Sequence, residues 1–338
     1  MGKAPERLTK GREKDIISSE FRRTTDGKKR KEDGEMKLIR IRPGCPPPDA
    51  GRTVAALGFF DGVHIGHRRL LDRAVAIAGE RGLVPAVFTF SDDARTFKPD
   101  AARLTDFSEK LDLFREAGIE TVFAADFPDF SGYSPEAFVS DALIGLMKVA
   151  VAVCGFNFRF GLRAAGDSSA LVRLMNAAGG EAEVIAPTVL DGTVVSSSAI
   201  RAALSEGDAE RAEKMLGRPF SYTGRVEHGR GYGHTEGIPT VNLAIAPHLA
   251  LPRRGVYRSR VILDGKEGYP AVSNVGTRPT FGGETVNCES YLFDYAGKDL
   301  YGRVARVELL GFLRDEKRFD SPEELYRQIE RDIARAKG

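Results

Sequence analysis

The sequence predicts two domains of different class: an α/β domain built on a parallel sheet, followed by a small all-β barrel with a terminal helix. Three observations carry this. Strand-like and helix-like patterns alternate from about residue 53 to residue 216, as a parallel sheet covered on both faces requires. Beyond Gly217-Arg218-Pro219 the texture changes to short alternating runs broken by Gly, Pro, Asp and Asn, the pattern of an antiparallel barrel. A length of 338 residues suffices for about two cores of ordinary size.

Each element has its own reason. Lys37 to Ile41 is the first strand-like run, before the Pro-rich loop Pro43 to Pro48. Val54–Phe59, Val84–Phe90, Thr121–Ala124, Val149–Cys154 and Glu183–Ile185 are apolar or β-branched runs of strand length. Between them lie helical patterns at His67–Glu80, Ser108–Glu116, Pro135–Leu146 and Ser168–Asn176; in the first, Leu70, Leu71, Ala74, Val75, Ile77 and Ala78 share one face. Ala199–Leu204 and Ala209–Leu216 are the last helical pieces. The expected division is an extension at 1–37, a first domain at 38–205, a linker at 206–219 and a second domain at 220–338. In the second domain the strand-like runs are Ser221–Val226, Gly255–Ile262, Tyr269–Asn274, Cys288–Phe293 and Tyr301–Leu309. Ser321-Pro322-Glu323-Glu324 supplies a cap, a first-turn proline and two acids for a final helix, whose stripe is Leu325, Ile329 and Ile333.

Composition narrows the function classes. The chain is 42% hydrophobic and 29% charged, as a water-soluble globular protein is. No apolar run reaches the ~18 residues of a membrane span, and the polar N-terminus lacks the apolar core of a signal peptide. Cys45, Cys154 and Cys288 are widely spaced, which argues for reduced thiols in a cytoplasm and against a disulfide framework or a zinc site. The net charge of +2 conceals an uneven division. Residues 1–37 hold twelve Lys/Arg and eight Asp/Glu, leaving the remainder slightly acidic. Lys28-Lys29-Arg30-Lys31 is flanked by acids and has no aromatic platform beyond Phe21, so the segment reads as a disordered basic extension and not a nucleic-acid arm. Met36, just before the first strand, is a candidate start.

The densest chemistry is Gly58-Phe59-Phe60-Asp61-Gly62-Val63-His64-Ile65-Gly66-His67, at a strand-to-helix turn. Helix N-termini favour phosphate, and two of the chain's five histidines stand there. Imidazole donors at that point can stabilise charge on a nucleotide α-phosphate under attack, so His64 and His67 are the catalytic candidates, with Gly58, Phe59, Asp61, Gly62 and Gly66 around the phosphates. Asn157 and Arg159, in Gly155 to Gly161 after the Val149–Cys154 strand, are polar groups at a strand end, where ligands bind in such sheets; Phe158 reads as core. Ser196, Ser197, Ser198 and Arg201 combine a helix cap with a phosphate-binding set, one serine being the cap.

In the second domain, Gly229, Gly231 and Gly233 lie in a glycine loop. No apolar helix follows it, so it fails as a dinucleotide fingerprint but can expose amides to phosphate. Pro239 precedes Thr240 and Asn242, which stand two apart on an extended segment and point the same way, offering oxygens to Mg²⁺. Glu289, on an alternating stretch, can serve as base for a hydroxyl nucleophile, although taken singly it reads as a solvated strand residue.

Residues 52–335 resemble the bacterial bifunctional riboflavin kinase/FAD synthetase family. The resemblance rests on Gly58 to His67, Gly155 to Gly161, Gly166-Asp167, Ser196 to Arg201, Gly237-Ile238-Pro239-Thr240-Val241-Asn242-Leu243, Asn274 to Gly283, Glu289, Leu300-Tyr301-Gly302 and Phe312-Leu313-Arg314. The His-x-Gly-His element is shared by many nucleotidyltransferases; the Pro-Thr-x-Asn and Arg-Pro-Thr-Phe-Gly elements are far more specific. The resemblance implies a Rossmann-like nucleotidyltransferase domain that adenylylates FMN with release of pyrophosphate, and a kinase barrel that phosphorylates riboflavin from ATP with Mg²⁺. It also implies flavin contacts at Arg278 and Arg314. The chain departs from the family at Ser91-Asp92-Asp93-Ala94, where a Pro-His-Pro-like element is usual, at Asn157, where Asp is frequent, and at Ile238 and Val241. The expected partners are riboflavin, FMN and ATP, with neither nucleic acid nor membrane, in a monomer or weak oligomer. Two alternatives stand beside this: a nucleotidyltransferase for another phosphorylated acceptor, which would have no use for the barrel, and a flavin-binding regulator, which would have no use for a base.

Overall fold

The computed structural model describes residues 35–91, 102–227, 239–266, 268–280, 283–293, 295–297 and 300–337. The expected extension falls outside them apart from its last three residues, of which Met36 packs on a core cluster and Lys37 opens the first strand.

The first sheet has six strands: β1 (Lys37–Ile41), β2 (Thr53–Leu57), β3 (Val84–Phe90), β4 (Thr121–Ala125), β5 (Val149–Gly155) and β8 (Glu181–Ile185). They run in the order β1-β4-β3-β2-β5-β8, all parallel. Two-residue pairs β6 (Arg159–Phe160) with β7 (Gly166–Asp167), and β9 (Val189–Leu190) with β10 (Thr193–Val194), decorate it; neither is visible as a strand pattern. The core strands are buried on both faces. Val54, Ala56, Val87 and Val153 pack on α1 (Ile65–Arg81) and α2 (Phe107–Glu116). Ala55, Leu57, Phe88 and Cys154 pack on the opposite helices, α3 (Phe138–Leu146) and α4 (Ser168–Ala177). Apolar residues at both parities of a strand are the mark of a sheet buried on both sides.

The chain leaves β2 for β3 on one side and returns to β5 on the other, so the strand order reverses between β2 and β5. Crevices at such reversals, outside the carboxyl ends of the strands, are where open α/β sheets bind ligands. The segments after β2 and β5 begin with Gly58 and Phe156.

The second sheet is antiparallel: β11 (Phe220–Arg225), β16 (Val304–Arg314), β13 (Gly255–Leu263), β14 (Gly268–Thr280), β15 (Gly283–Leu292) and β12 (Thr240–Ala244), in that spatial order. A bridge from Glu227 to Asn242, with Glu227 N–H donating to the Asn242 carbonyl at 2.9 Å, brings the two edges together into a barrel. Odd-numbered Val241, Leu243, Tyr257, Ala271 and Val275 fill its interior, while Thr240, Asn242 and Asn274 alternate outward. β14 and β16 run past the predicted ends, to Thr280 and Arg314.

The expected linker, 206–219, carries the expected helical piece as α6 (Ala209–Leu216), preceded by α5 (Ser197–Glu206). Ile200, Ala203, Leu204, Ala212, Met215 and Leu216 belong to the same buried cluster as the barrel interior. An amphipathic stretch between two domains buries its stripe where apolar surface is offered, here against the barrel. The last helix, α7 (Pro322–Lys337), lies on the outer face of the barrel, over Val256, Val272 and Phe293.

Candidate active sites

The first site is a turn under strain. Phe60 and Val63 have φ of +57° and +37°, and Gly62 has +79°. Left-handed backbone at a phenylalanine and a β-branched valine costs of order 1–3 kcal/mol each and persists only where the surroundings impose it. Those surroundings are specific. Asp61 accepts the Leu104 N–H at 2.7 Å and pairs with Arg201 at 2.7 Å. Ser197 donates to the Asp61 carbonyl at 2.9 Å, and the Gly62 N–H donates to the Thr105 hydroxyl at 3.1 Å. A Cβ on Gly62 would lie 2.7 Å from Leu104, so glycine is required on both conformational and steric grounds.

His64 leaves this turn as the N-cap of α1, its Nδ1 accepting the His67 N–H at 3.2 Å. The two rings stack with centroids 3.6 Å apart, and Gly66 lies against the His64 ring where a Cβ would come within 3.2 Å. Burial pushes His64 down to about 4, with the Arg218 charge adding to the effect. His67 is held well below the ordinary imidazole value by burial first, then by His64 and Lys110. Both rings are therefore neutral near pH 7. Because His64 Nδ1 is an acceptor, its proton resides on Nε2, which is left as a donor. His67 Nδ1 is buried with no hydrogen-bond partner, a state that buried polar groups rarely keep without a ligand. Burial also pushes the Asp61 carboxyl up, opposed by the Leu104 N–H and Arg201.

Around this turn the predicted residues divide. Ser196 is the cap of α5, accepting the Ala199 N–H at 3.2 Å. Ser197 and Arg201 hold Asp61, and Arg201 also donates to Ser198 at 3.3 Å. Arg201 and the serines thus fasten the histidine turn in this state. Gly58 N–H continues the sheet by donating to Phe88. Asn157 and Arg159 are exposed at the end of β5, beside the end of β2, while Phe158 stacks on Phe160.

Sequence reasoning missed Lys110. It is 1% exposed, with Nζ 3.4 Å from the carbonyls of both Phe59 and Phe90 and 4.6 Å from the Phe59 ring centroid. Its signal was present: Phe107, Lys110 and Phe114 form one helical stripe, and a lysine on an apolar stripe is either snorkelling or functional.

The second site is a row across the outer face of the barrel. Asn242 is paired with Glu289, Glu289 with Asn274, Asn274 with Val256, and Val256 with Arg314. Residues directly opposite one another share a face, so a carboxylate stands between two carboxamides. One row further along are Thr240 and Tyr291. The Tyr291 phenol hydrogen-bonds Glu289; burial first, and then that carboxylate, push it above the ordinary phenol range. A cavity of about 460 Å³ opens over this row, lined by Asn242, Asn274, Glu289, Tyr291, Arg314 and Glu316 among others. α7 forms its wall. Arg314 makes a two-pronged pair with Asp332 of α7 at 2.7–3.0 Å, and Gln328 donates to the same carboxylate at 3.0 Å. Arg314, expected at the flavin, thus faces the cavity while tying down its wall. Pro239, just before β12, accepts the Leu292 N–H at 3.0 Å. Gly229, Gly231 and Gly233 lie outside the described residues, as do Asp92, Asp93 and the side chain of Arg278.

Thr240 and Asn242 share a face beside Glu289, and their donors are a hydroxyl and a carboxamide oxygen, hard ligands of the kind Mg²⁺ takes. Among the described residues there is no cluster of three or more His, Cys, Asp or Glu able to hold a metal alone. That donor set fits a cation whose remaining positions are filled by nucleotide phosphates and water.

Comparison with known proteins agrees with both halves. The FAD synthetase family model matches residues 47–199, and the riboflavin kinase family model matches residues 216–338. The bifunctional riboflavin kinase/FMN adenylyltransferase of Escherichia coli K12 is 37% identical over 302 residues, covering 88% of this chain and 96% of that one. The protein of the same name from Bacillus subtilis is 35% identical over 292 residues, covering 84% and 91%. A crystal structure from Streptococcus pneumoniae, described as a macrolide-efflux protein, superposes with a TM-score of 0.79 at 28% identity over 89% of this chain and 99% of that one. No described helix of the present chain is long and apolar enough to cross a membrane. Fold and matches together define a transferase that joins a nucleotidyltransferase domain to a kinase domain. The chain belongs to the bifunctional riboflavin kinase/FMN adenylyltransferase family, and its activities are phosphorylation of riboflavin and adenylylation of FMN, both from ATP.

Proposed function

We propose that the two reactions are divided between the two sites, FMN adenylylation at the Gly58–His67 turn and riboflavin phosphorylation on the Asn242–Glu289–Asn274 row. The observation that carries this reading is the pairing of an orphaned, buried imidazole nitrogen at a helix N-terminus with a separate carboxylate in a cavity of its own.

At the first site the FMN phosphate attacks the ATP α-phosphate and pyrophosphate leaves, so the protein needs to position and to stabilise charge. Neutral His64 and His67 supply N–H donors, and the α1 N-terminus adds its dipole. Being uncharged, the rings gain most from an oxygen whose charge grows in the transition state. Lys110 adds a cation behind the Phe59 carbonyl, and Asn157 and Arg159 face the same edge of the sheet. At the second site Glu289 accepts the proton of the flavin's terminal ribityl hydroxyl as that oxygen attacks the ATP γ-phosphate and ADP leaves. Asn242 and Asn274 flank that carboxylate on the neighbouring strands. Thr240 and Asn242 would hold Mg²⁺, which when bound neutralises charge on the nucleotide phosphates.

The same reading has two domains meeting at about residues 205–219, a cytoplasmic location, and a monomer or weak oligomer. Incubation with riboflavin, ATP and Mg²⁺ followed by flavin chromatography should show FMN, then FAD. A sedimentation profile measures the oligomer. The division itself is tested by variants at each site, and loss of both activities from His67→Ala or from Glu289→Gln would overturn it.

A further inference from the structure

The strained histidine turn is gripped from outside the transferase domain. Arg218 lies just beyond α6, in the part of the chain that matches the riboflavin kinase family. Its Nη1 donates to the Gly62 carbonyl at 3.0 Å, in the middle of the turn, and its Nη2 donates to Glu109 of α2 at 3.2 Å. Two neighbours reinforce the grip. A Cβ on Gly62 would touch Leu216 at 3.4 Å, and one on Gly217 would stand 3.0 Å from Ile65. Residues 216–218 therefore lie directly against the turn that presents His64 and His67.

We propose that Arg218 is a positioning residue for adenylyl transfer: held by Glu109, its guanidinium fixes the Gly62 carbonyl from the kinase side of the junction, so FAD formation depends on a residue that the transferase module does not contain. The turn's other fastenings, at Leu104, Thr105, Ser197 and Arg201, bind Asp61 and the Gly62 N–H. The contact of Arg218 fastens the last carbonyl before Val63 and His64. A planar fork can hold a carbonyl and a carboxylate at once and set the angle between them, which a point charge cannot. Release of that carbonyl lets Val63 relax from positive φ, and His64 is the next residue in the chain. The stack of His64 on His67 and the hydrogen bond that fixes its tautomer would move with it.

The test uses the full chain. In Arg218→Ala the kcat for adenylylation of supplied FMN should fall on the order of 10-fold to 100-fold, as misplacement of a catalytic group does. KM for FMN and the riboflavin kinase rate should stay within about threefold of wild type. Arg218→Lys should recover part of the kcat, because an ammonium can still donate to the Gly62 carbonyl. Should the alanine variant not fold, Arg218→Met keeps the packing of the stem, deletes the donors and carries the same expectations. An adenylylation kcat equal to wild type, a change confined to KM, or a kinase rate that falls in parallel would each overturn the proposal. The inference rests on the placement of adenylyl transfer at the histidine turn. His67→Ala tests that placement separately, so the two can fail independently.

Discussion

The two sites solve the problem of phosphate chemistry with opposite architectures. The proposed adenylyl-transfer site is one continuous segment, Gly58 to His67, whose backbone is strained and whose polar atoms are held by Leu104, Thr105, Ser197, Arg201 and Arg218. The proposed kinase site is spread over β12, β15, β14, β13 and β16, each giving one residue to a row, with a helix as its wall. In the first, precision comes from backbone geometry and buried neutral rings. In the second it comes from sheet register and an ion pair. A site of the first kind should be sensitive to its supports, and one of the second kind to the Glu289 carboxylate.

The largest effect should follow Glu289→Gln, which keeps shape and hydrogen bonding but removes basicity. Riboflavin phosphorylation should fall roughly 10²–10⁴-fold while supplied FMN is still adenylylated. Thr240→Val should also weaken the kinase, but through the loss of an oxygen toward Mg²⁺, so extra Mg²⁺ should restore part of its rate. Equal rescue of both variants in a Mg²⁺ titration would make Glu289 a metal ligand instead of a base.

The converse variant, His67→Ala, should lower FAD formation on the order of 10²–10³-fold and leave the kinase untouched. Stopped assays with riboflavin and with FMN as separate substrates distinguish the two sites. A kinase defect in this variant would erase the contrast drawn here.

Asp332→Ala asks whether the kinase wall depends on its ion pair. Asp332 is 4% exposed and receives Arg314 and Gln328, so its loss should destabilise the barrel by about 2 kcal/mol, at the low end for such a pair because Arg314 still reaches water. Chemical denaturation reads this directly, and the kinase KM should rise while adenylylation holds.

A last effect concerns acid stability and leaves the rates at neutral pH aside. His64 ionises near 4 in the folded state against an ordinary value of 6.5, so the folded chain resists a proton that the unfolded chain takes up. Stability is therefore full above about 6.5 and is lost as pH falls toward 4, by on the order of 2–3 kcal/mol. In His64→Asn, which keeps a capping oxygen, the melting temperature should fall less steeply over that interval. Parallel profiles for the two proteins would show that His64 is not held neutral by burial.

The difference in architecture also explains what could be read from the sequence. The histidine turn was legible because its parts are contiguous, and a strand, three glycines and a helix cap are local signals. Glu289 was visible only as a carboxylate on a strand, since its neighbours Asn242 and Asn274 are 47 and 15 residues away and only register brings them together. Lys110 was missed because its burial against Phe59 and Phe90 depends on how α2 packs on the sheet. The three serines could not be apportioned beforehand, because whether a hydroxyl caps a helix or holds Asp61 depends on what lies opposite. Gly217-Arg218-Pro219, read as a boundary, also makes a contact with the histidine turn that the sequence did not announce.

By itself, then, the sequence determined the class of each half and the two activities, and it marked the candidate residues of both sites. Periodicity follows from burial on one or two faces, and the histidine, glycine and Pro-Thr-x-Asn elements are short enough to be carried in order along the chain. Tertiary structure alone decided which strands stand side by side, that α6 shares the barrel's core, that Arg314 is engaged by Asp332, and that Arg218 reaches back to Gly62. Those are pairings between distant segments, selected by the free energy of the whole packed molecule, and no local pattern encodes them.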